Sequence, residues 1–218
     1  MEAAYRRLGL PSWPDPHPDR PPRDEEYSRV TDPGRYGIVH ARARVWADRL
    51  GEMPGVRVEP LAPAPLDEDG HLGRFDRGVR VTSARPGTLP LLLLERDAPL
   101  HGADGALAVL HLSVVRPEVA VAMLPECGCD ACDTGSEELL GAVDDAVGWV
   151  VGGPLVALRG RGWHAQWHPG GGSSGRDAPW LPDHARLMEM CRRLATGGDV
   201  RLPERTEAFV GHAWFENL

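Results

Sequence analysis

Three apolar stretches in the middle of the chain restrict its fold more than any other feature. Two of them, residues 89–96 and 106–115, are almost continuously apolar, which is typical of strands in the centre of a sheet. The third, residues 119–124, alternates apolar residues with alanine and follows after only a short Arg-Pro-Glu connection. Since so short a connection joins antiparallel neighbours, the sequence predicts a mainly antiparallel sheet.

Further strands and three helices are predicted around this centre. Residues 56–61 and 79–84 alternate apolar and charged side chains, as half-buried strands do, and residues 155–168 form one strand or a hairpin. The pattern therefore predicts an α+β fold: a single domain with a mainly antiparallel sheet of about five to seven strands and three helices.

Each helix has its own start signal. Asp32 and Pro33 suit the beginning of the first helix. Thr134 and Glu137 have capping-box spacing at the beginning of the second. Asp183 can cap the third, whose apolar face includes Cys191, so that this cysteine is predicted to be buried.

Two segments are predicted to lie outside the regular elements. Between Pro11 and Pro22 six of twelve residues are proline, which excludes helix and central strand, so residues 1–24 are predicted to be an N-terminal arm and residues 25–218 a single α+β domain. Residues 169–179, rich in glycine and serine, are predicted to form a mobile loop.

Composition excludes several classes of function. The formal net charge is −8, which disfavours a nucleic-acid partner. All 24 basic residues are arginine, so neither a Schiff-base lysine nor a Walker A loop is present. The chain has no apolar run long enough to cross a membrane and begins without a signal-peptide core, which predicts a cytoplasmic protein with reduced thiols and no membrane partner.

Three of the four cysteines fall within six residues, in the sequence Cys127-Gly-Cys129-Asp-Ala-Cys132. A C-x-C-x-x-C knuckle, with Gly128 as a flexible pivot, can direct three thiolates to one zinc ion. We take His164 as the predicted fourth ligand. His168, Asp130, Asp133 and Cys191 are the other candidates.

Two alternatives to a structural zinc site remain open, besides thiols that are simply buried and inert. Three thiolates and an open position for water would describe a zinc enzyme. Cys129-Asp-Ala-Cys132 at a helix start also has the spacing of a thiol oxidoreductase, which requires an exposed and unusually acidic thiol.

The segment "ECGCDACDTGSEELLGAVDDAV", together with "YSRVTDPGRYGIVHARA" upstream, resembles an actinobacterial family known only as a domain of unknown function. The resemblance extends over about residues 24–163 and does not include the tail. It implies a bacterial cytoplasmic protein in which the cysteine cluster is a family feature, and it implies no activity. The function expected is binding to a protein partner, as antitoxin-like or immunity-like proteins do, with zinc as a structural cofactor.

Overall fold

The sheet predicted from the central apolar stretches is present and has five strands. In the computed structural model, which describes residues 5, 8–67, 70–100, 105–176 and 182–215, these strands run antiparallel in the order β1-β2-β3-β4-β5. Their bounds are Val56–Leu61, Arg77–Ser83, Leu91–Pro99, Ala106–Val114 and Ala120–Leu124. The direct β4–β5 connection confirms the predicted antiparallel pair.

A second, four-stranded antiparallel sheet follows, in the order β8-β7-β6-β9. The bounds of β6 to β9 are Leu155–Gly160, Trp163–His168, Gly171–Arg176 and Glu207–Gly211. Residues 155–168 are thus a hairpin, and β9 comes from the tail. The described residues contain nine strands in two sheets, more than the single sheet that the sequence predicted.

Within the described part of the chain, three α-helices complete the α+β fold as predicted: α1 at Ile38–Gly51, α2 at Ser136–Gly152 and α3 at His184–Ala195. Helices α1 and α2 pack on the first sheet, where Val39 and Val147 lie in one cluster with Leu91 and Leu112. Helix α3 covers the second sheet with Leu187 and Cys191. No helix among the described residues is long and apolar enough to cross a membrane.

The helix starts differ in part from those predicted. Asp183 caps α3 by accepting a hydrogen bond from the Arg186 amide, as predicted. The capping box at Thr134 is wrong, because α2 begins at Ser136 after Gly135, whose φ is 89°. In its place, the Ser136 amide donates to the Trp13 carbonyl of the N-terminal arm.

The mobile loop predicted for residues 169–179 is wrong for residues 171–176, which form β8 and pair with β7 along its whole length. Ladder hydrogen bonds need only the backbone, and here the missing side chains make the pairing possible. A Cβ at Gly172 would lie 2.5 Å from the Gln166 carbonyl oxygen, and one at Gly175 would lie 2.5 Å from the His164 ring. Residues 177–179 lie outside the described residues.

Candidate metal centre

The three clustered cysteines lie in the loop between β5 and α2. Cys127 and Cys132 are exposed, Cys129 is buried, and all three are free thiols. Their sulfur atoms lie within 4.8 Å of one another, and the Cys127 and Cys129 sulfurs are 3.2 Å apart. Sulfurs at about 2.3 Å from a tetrahedral zinc ion are about 3.8 Å apart, so small side-chain rotations suffice. The donor set therefore fits one soft metal ion.

The close approach of this loop to the first sheet explains Gly128. A Cβ at Gly128 would lie 2.4 Å from Leu107 Cδ2 on β4. Gly128 is not among the glycines with positive φ, so the close approach of Leu107, and not a left-handed backbone conformation, favours glycine at this position. The glycine lets the cysteine loop rest directly on the sheet.

Asp130, between the second and third cysteines, binds the segment that precedes α1. Its carboxylate accepts hydrogen bonds from Arg29 Nε at 2.6 Å, from the Thr31 amide at 2.9 Å and from the Thr31 hydroxyl at 2.5 Å. The Asp130 amide donates to the Arg29 carbonyl at 2.7 Å. Guanidinium and hydroxyl donors keep the pKa of Asp130 below its usual value even though burial raises it.

Asp133 holds the N-terminal arm. Its buried carboxylate accepts the Trp13 indole N–H at 2.9 Å and the Gly135 amide at 2.9 Å, and it pairs with Arg35 at 2.6 Å. The Arg35 guanidinium also lies over the Trp13 ring, 4.9 Å from its centroid. As a metal ligand, Asp133 would have to give up these contacts.

The two aspartates of the motif, Asp130 and Asp133, therefore have a different structural role from the three cysteines. The thiols turn toward one another and partly toward solvent, whereas the carboxylates turn inward and bind residues 13 and 29–35. We call this arrangement of Asp130, Asp133, Trp13, Arg29 and Arg35 the aspartate clamp. No sequence pattern predicts it, since Trp13, Arg29 and Arg35 lie about a hundred residues before the two aspartates.

Cys132, the second thiol of the C-x-x-C pair, does not have the low pKa that a thiol oxidoreductase requires. Hydrogen bonding to Cys129 and Cys127 raises the pKa of the exposed Cys132 to about 12. The thiol with the lowered pKa is Cys127, where burial acts in the opposite sense but the Cys129 amide donates to its sulfur. Cys191 lies on the face of α3 that packs on the second sheet and is fully buried there, and this burial raises its pKa to about 12.

The structure brings together three of the four predicted metal ligands. Among the described residues, no histidine or carboxylate joins the three sulfurs within 4.8 Å. His164 lies exposed on β7, against Gly175 of β8, and His168 stacks on Trp149 with ring centroids 4.2 Å apart. His164 as the fourth ligand stays a prediction that this grouping does not support.

These features define a two-sheet α+β protein whose most concentrated chemistry is a group of three thiols on a loop. A family model described as a family of unknown function (DUF6226) matches residues 1–217, and the chain belongs to this family. The match includes the tail, which the resemblance seen in the sequence had left out. No curated protein and no solved structure matches the chain.

Proposed function

We propose that this protein binds one zinc ion through Cys127, Cys129 and Cys132, and that the ion fixes the loop between β5 and α2. The observation that carries the proposal is the mutual approach of three sulfurs within 4.8 Å. Thiolates are soft ligands, and zinc is the metal that most often binds them in structural sites.

The surroundings of the loop support a structural role for the metal. Asp130 and Asp133 alternate with the cysteines along one short segment, so an ion that fixes the sulfurs also fixes both carboxylates. The clamp then holds the N-terminal arm against α2. Metal binding would in this way stabilise contacts that extend well beyond the loop.

The first test is the metal content of protein purified without a metal-affinity tag. We expect about one equivalent of zinc, because three thiolates form a compact soft ligand set. Cys129→Ser removes the buried central ligand, and we expect it to release the metal and lower the melting temperature. Cys191→Ser is the matched control, since it alters a buried thiol outside the group and should leave the metal content unchanged.

Metal-free wild-type protein with an unchanged melting temperature after zinc addition would refute the proposal. Loss of the metal in Cys191→Ser would instead show that the tail helix supplies a ligand. Loss in His164→Ala and not in His168→Ala would restore His164 as the fourth ligand.

A zinc enzyme is the second candidate, and the number of ligands favours it. The described residues supply three ligand atoms, and two of the thiols are exposed, which is the pattern of a catalytic ion with an open position for water. X-ray absorption of the zinc-loaded protein distinguishes a structural zinc site from a catalytic one. Three sulfurs and one exchangeable oxygen support the enzyme, whereas a fourth protein ligand supports the structural site.

The role that we propose for the folded protein is to bind a protein partner. The support is the N-terminal arm, in which Pro14, Pro16 and Pro18 are exposed while Trp13 is held by Asp133. Exposed prolines on an ordered segment offer a surface that loses little entropy on binding. Trp13→Ala should release the arm, and a partner that copurifies with the wild type should be lost from this variant.

A further inference from the structure

The three thiols of the cysteine loop differ in how they meet solvent and one another. Cys127 and Cys132 are exposed, whereas Cys129 is buried. The Cys127 sulfur lies 3.2 Å from the Cys129 sulfur, so an exposed thiol is in direct contact with a buried one. This is the arrangement in which a solvent-accessible cysteine meets an oxidant and a neighbouring cysteine then forms a disulfide with it.

The backbone between Cys127 and Cys129 permits such a bond. A disulfide requires Cα atoms about 4.4–6.8 Å apart, and residues two positions apart in a chain are separated by at most about 7 Å. The Cys129 amide donates a hydrogen bond to the Cys127 sulfur at 3.5 Å, so the chain already bends back at Gly128. The two sulfurs have to approach by about 1 Å to reach the S–S bond length of about 2.05 Å.

Cys132, the other exposed thiol, lies across a turn from Cys129. A 3₁₀ helix at Asp130–Cys132 follows Cys129, and the Cys132 amide donates to the Cys129 carbonyl at 3.0 Å. Asp130 holds this turn through its bonds to Arg29 and Thr31. The contact between the Cys127 and Cys129 sulfurs therefore favours these two thiols as the pair that reacts.

We propose that Cys127 and Cys129 form a reversible disulfide when the protein meets hydrogen peroxide, and that this oxidation releases the metal. The Cys127 sulfur attacks one oxygen of the peroxide and becomes a sulfenic acid. The O–O bond breaks, and the departing hydroxide takes the thiol proton to form water.

The second step closes the disulfide. The Cys129 sulfur attacks the Cys127 sulfur, so that the S–S bond forms and the S–O bond breaks. The hydroxyl group leaves as water with the proton of the Cys129 thiol. In total, two thiols are oxidised to one disulfide, and one hydrogen peroxide is reduced to two water molecules.

The effect on the metal follows from the ligand set. Zinc binds the thiolate form of cysteine, and a sulfur in a disulfide is no longer a thiolate. The Cys127–Cys129 bond therefore removes two of the three sulfur ligands and leaves only Cys132. This release rests on the zinc site proposed above, whereas the disulfide itself requires only the two sulfurs.

Peptide mapping of the metal-free, full-length protein tests the disulfide. After treatment with hydrogen peroxide, the number of free thiols in the unfolded protein should fall from four to two. A protease that cuts before aspartate separates Cys132 from the other two cysteines, because Asp130 directly follows Cys129. The peptide that ends at Cys129 should lack two hydrogen atoms, and a reducing agent should restore them. A disulfide to Cys132, or none, overturns the proposal.

Cys132→Ser separates this pair from the remaining thiol of the loop. The variant keeps both reacting sulfurs, so it should form the disulfide within about twofold of the wild-type rate. A decrease of at least about tenfold would show that Cys132 takes part and would overturn the choice of pair.

The zinc-loaded protein tests the coupling to the metal. Hydrogen peroxide should release about one equivalent of zinc to a coloured chelator, and reduction with dithiothreitol should restore zinc binding. Zinc retained by protein in which the disulfide has formed overturns the coupling. Protein that binds no zinc at all would refute the proposed function and the release, while the mapping of the metal-free protein still decides whether the disulfide forms.

Discussion

His111 should make the protein lose stability between neutral and mildly acidic pH. It lies in the centre of β4, opposite Leu94 and Met123, with 3% of its surface exposed, and its Nε2 has no hydrogen-bond partner among the residues that the structure describes. Burial, aided by the nearby Arg96 charge, lowers the pKa of His111 from 6.5 to about 4. The folded state therefore holds this ring neutral where the unfolded chain would protonate it.

The size of the effect follows from the two pKa values. One pH unit between them is worth about 1.4 kcal/mol, so the fall from 6.5 to about 4 corresponds to about 3 kcal/mol. Because the pKa of His111 is lower in the folded protein than in the unfolded chain, this stability of about 3 kcal/mol is fully present above pH 6.5, where the ring is neutral in both states. It is lost as the pH falls from 6.5 toward 4 and changes no further below that.

Urea unfolding of the wild type and His111→Met at several pH values between 7.5 and 4 isolates this group. Carboxylates with lowered pKa values, such as Glu26 and Glu95, affect both proteins alike and cancel in the difference. We expect the free energy of unfolding of the variant, relative to the wild type, to rise by about 3 kcal/mol on acidification. His71→Met, at an exposed position, is the control and should show no such rise. A pH-independent difference for His111→Met would refute the burial argument.

Three more outcomes are expected. Gly153→Ala should destabilise the protein by more than about 2 kcal/mol, because φ is 45° there and the new Cβ would lie 2.4 Å from the Ala213 amide nitrogen. Gly148→Ala, at an exposed position of α2 where a Cβ meets nothing within 4 Å, should stabilise it by up to about 1 kcal/mol; equal effects of the two variants in thermal unfolding would contradict the steric reasoning. Asp133→Ala should cost about 3–5 kcal/mol, because it leaves Arg35 and the Trp13 indole without their buried partner, and a loss below about 1 kcal/mol in chemical denaturation would show that the arm is not held there. Removing zinc with a strong chelator should increase the rate at which a protease cuts the arm, since the aspartate clamp depends on the cysteine loop. An unchanged rate would show that the clamp holds the arm without the metal.

The first sheet could be predicted because its signal is local. Strands β3 and β4 are so apolar that only a buried position suits them, and the short connection between β4 and β5 makes these two strands antiparallel. The thiol group was predictable for the same reason, because six residues contain all three sulfurs. A pattern whose residues are close together in the sequence can be recognised without knowledge of the tertiary structure.

The elements that were missed depend on distant partners. The sequence of β8 has almost no β-forming residues, and its pairing requires the space above the side chains of β7. Asp130 and Asp133 look like candidate metal ligands, yet residues 29–31, 13 and 35 occupy both carboxylates. No spacing rule connects positions about a hundred residues apart, so these roles become visible only in three dimensions.

The aspartate clamp also constrains how the protein matures on the ribosome. Trp13 and Asp133 are separated by 120 residues, and at about 5–20 residues per second the ribosome needs roughly 6–24 s to synthesise the chain between them. During that interval Asp133 has not yet been synthesised, so the Trp13 indole N–H cannot donate to its carboxylate. The arm is thus synthesised well before its partner Asp133 and can reach its final position only after that residue has been made.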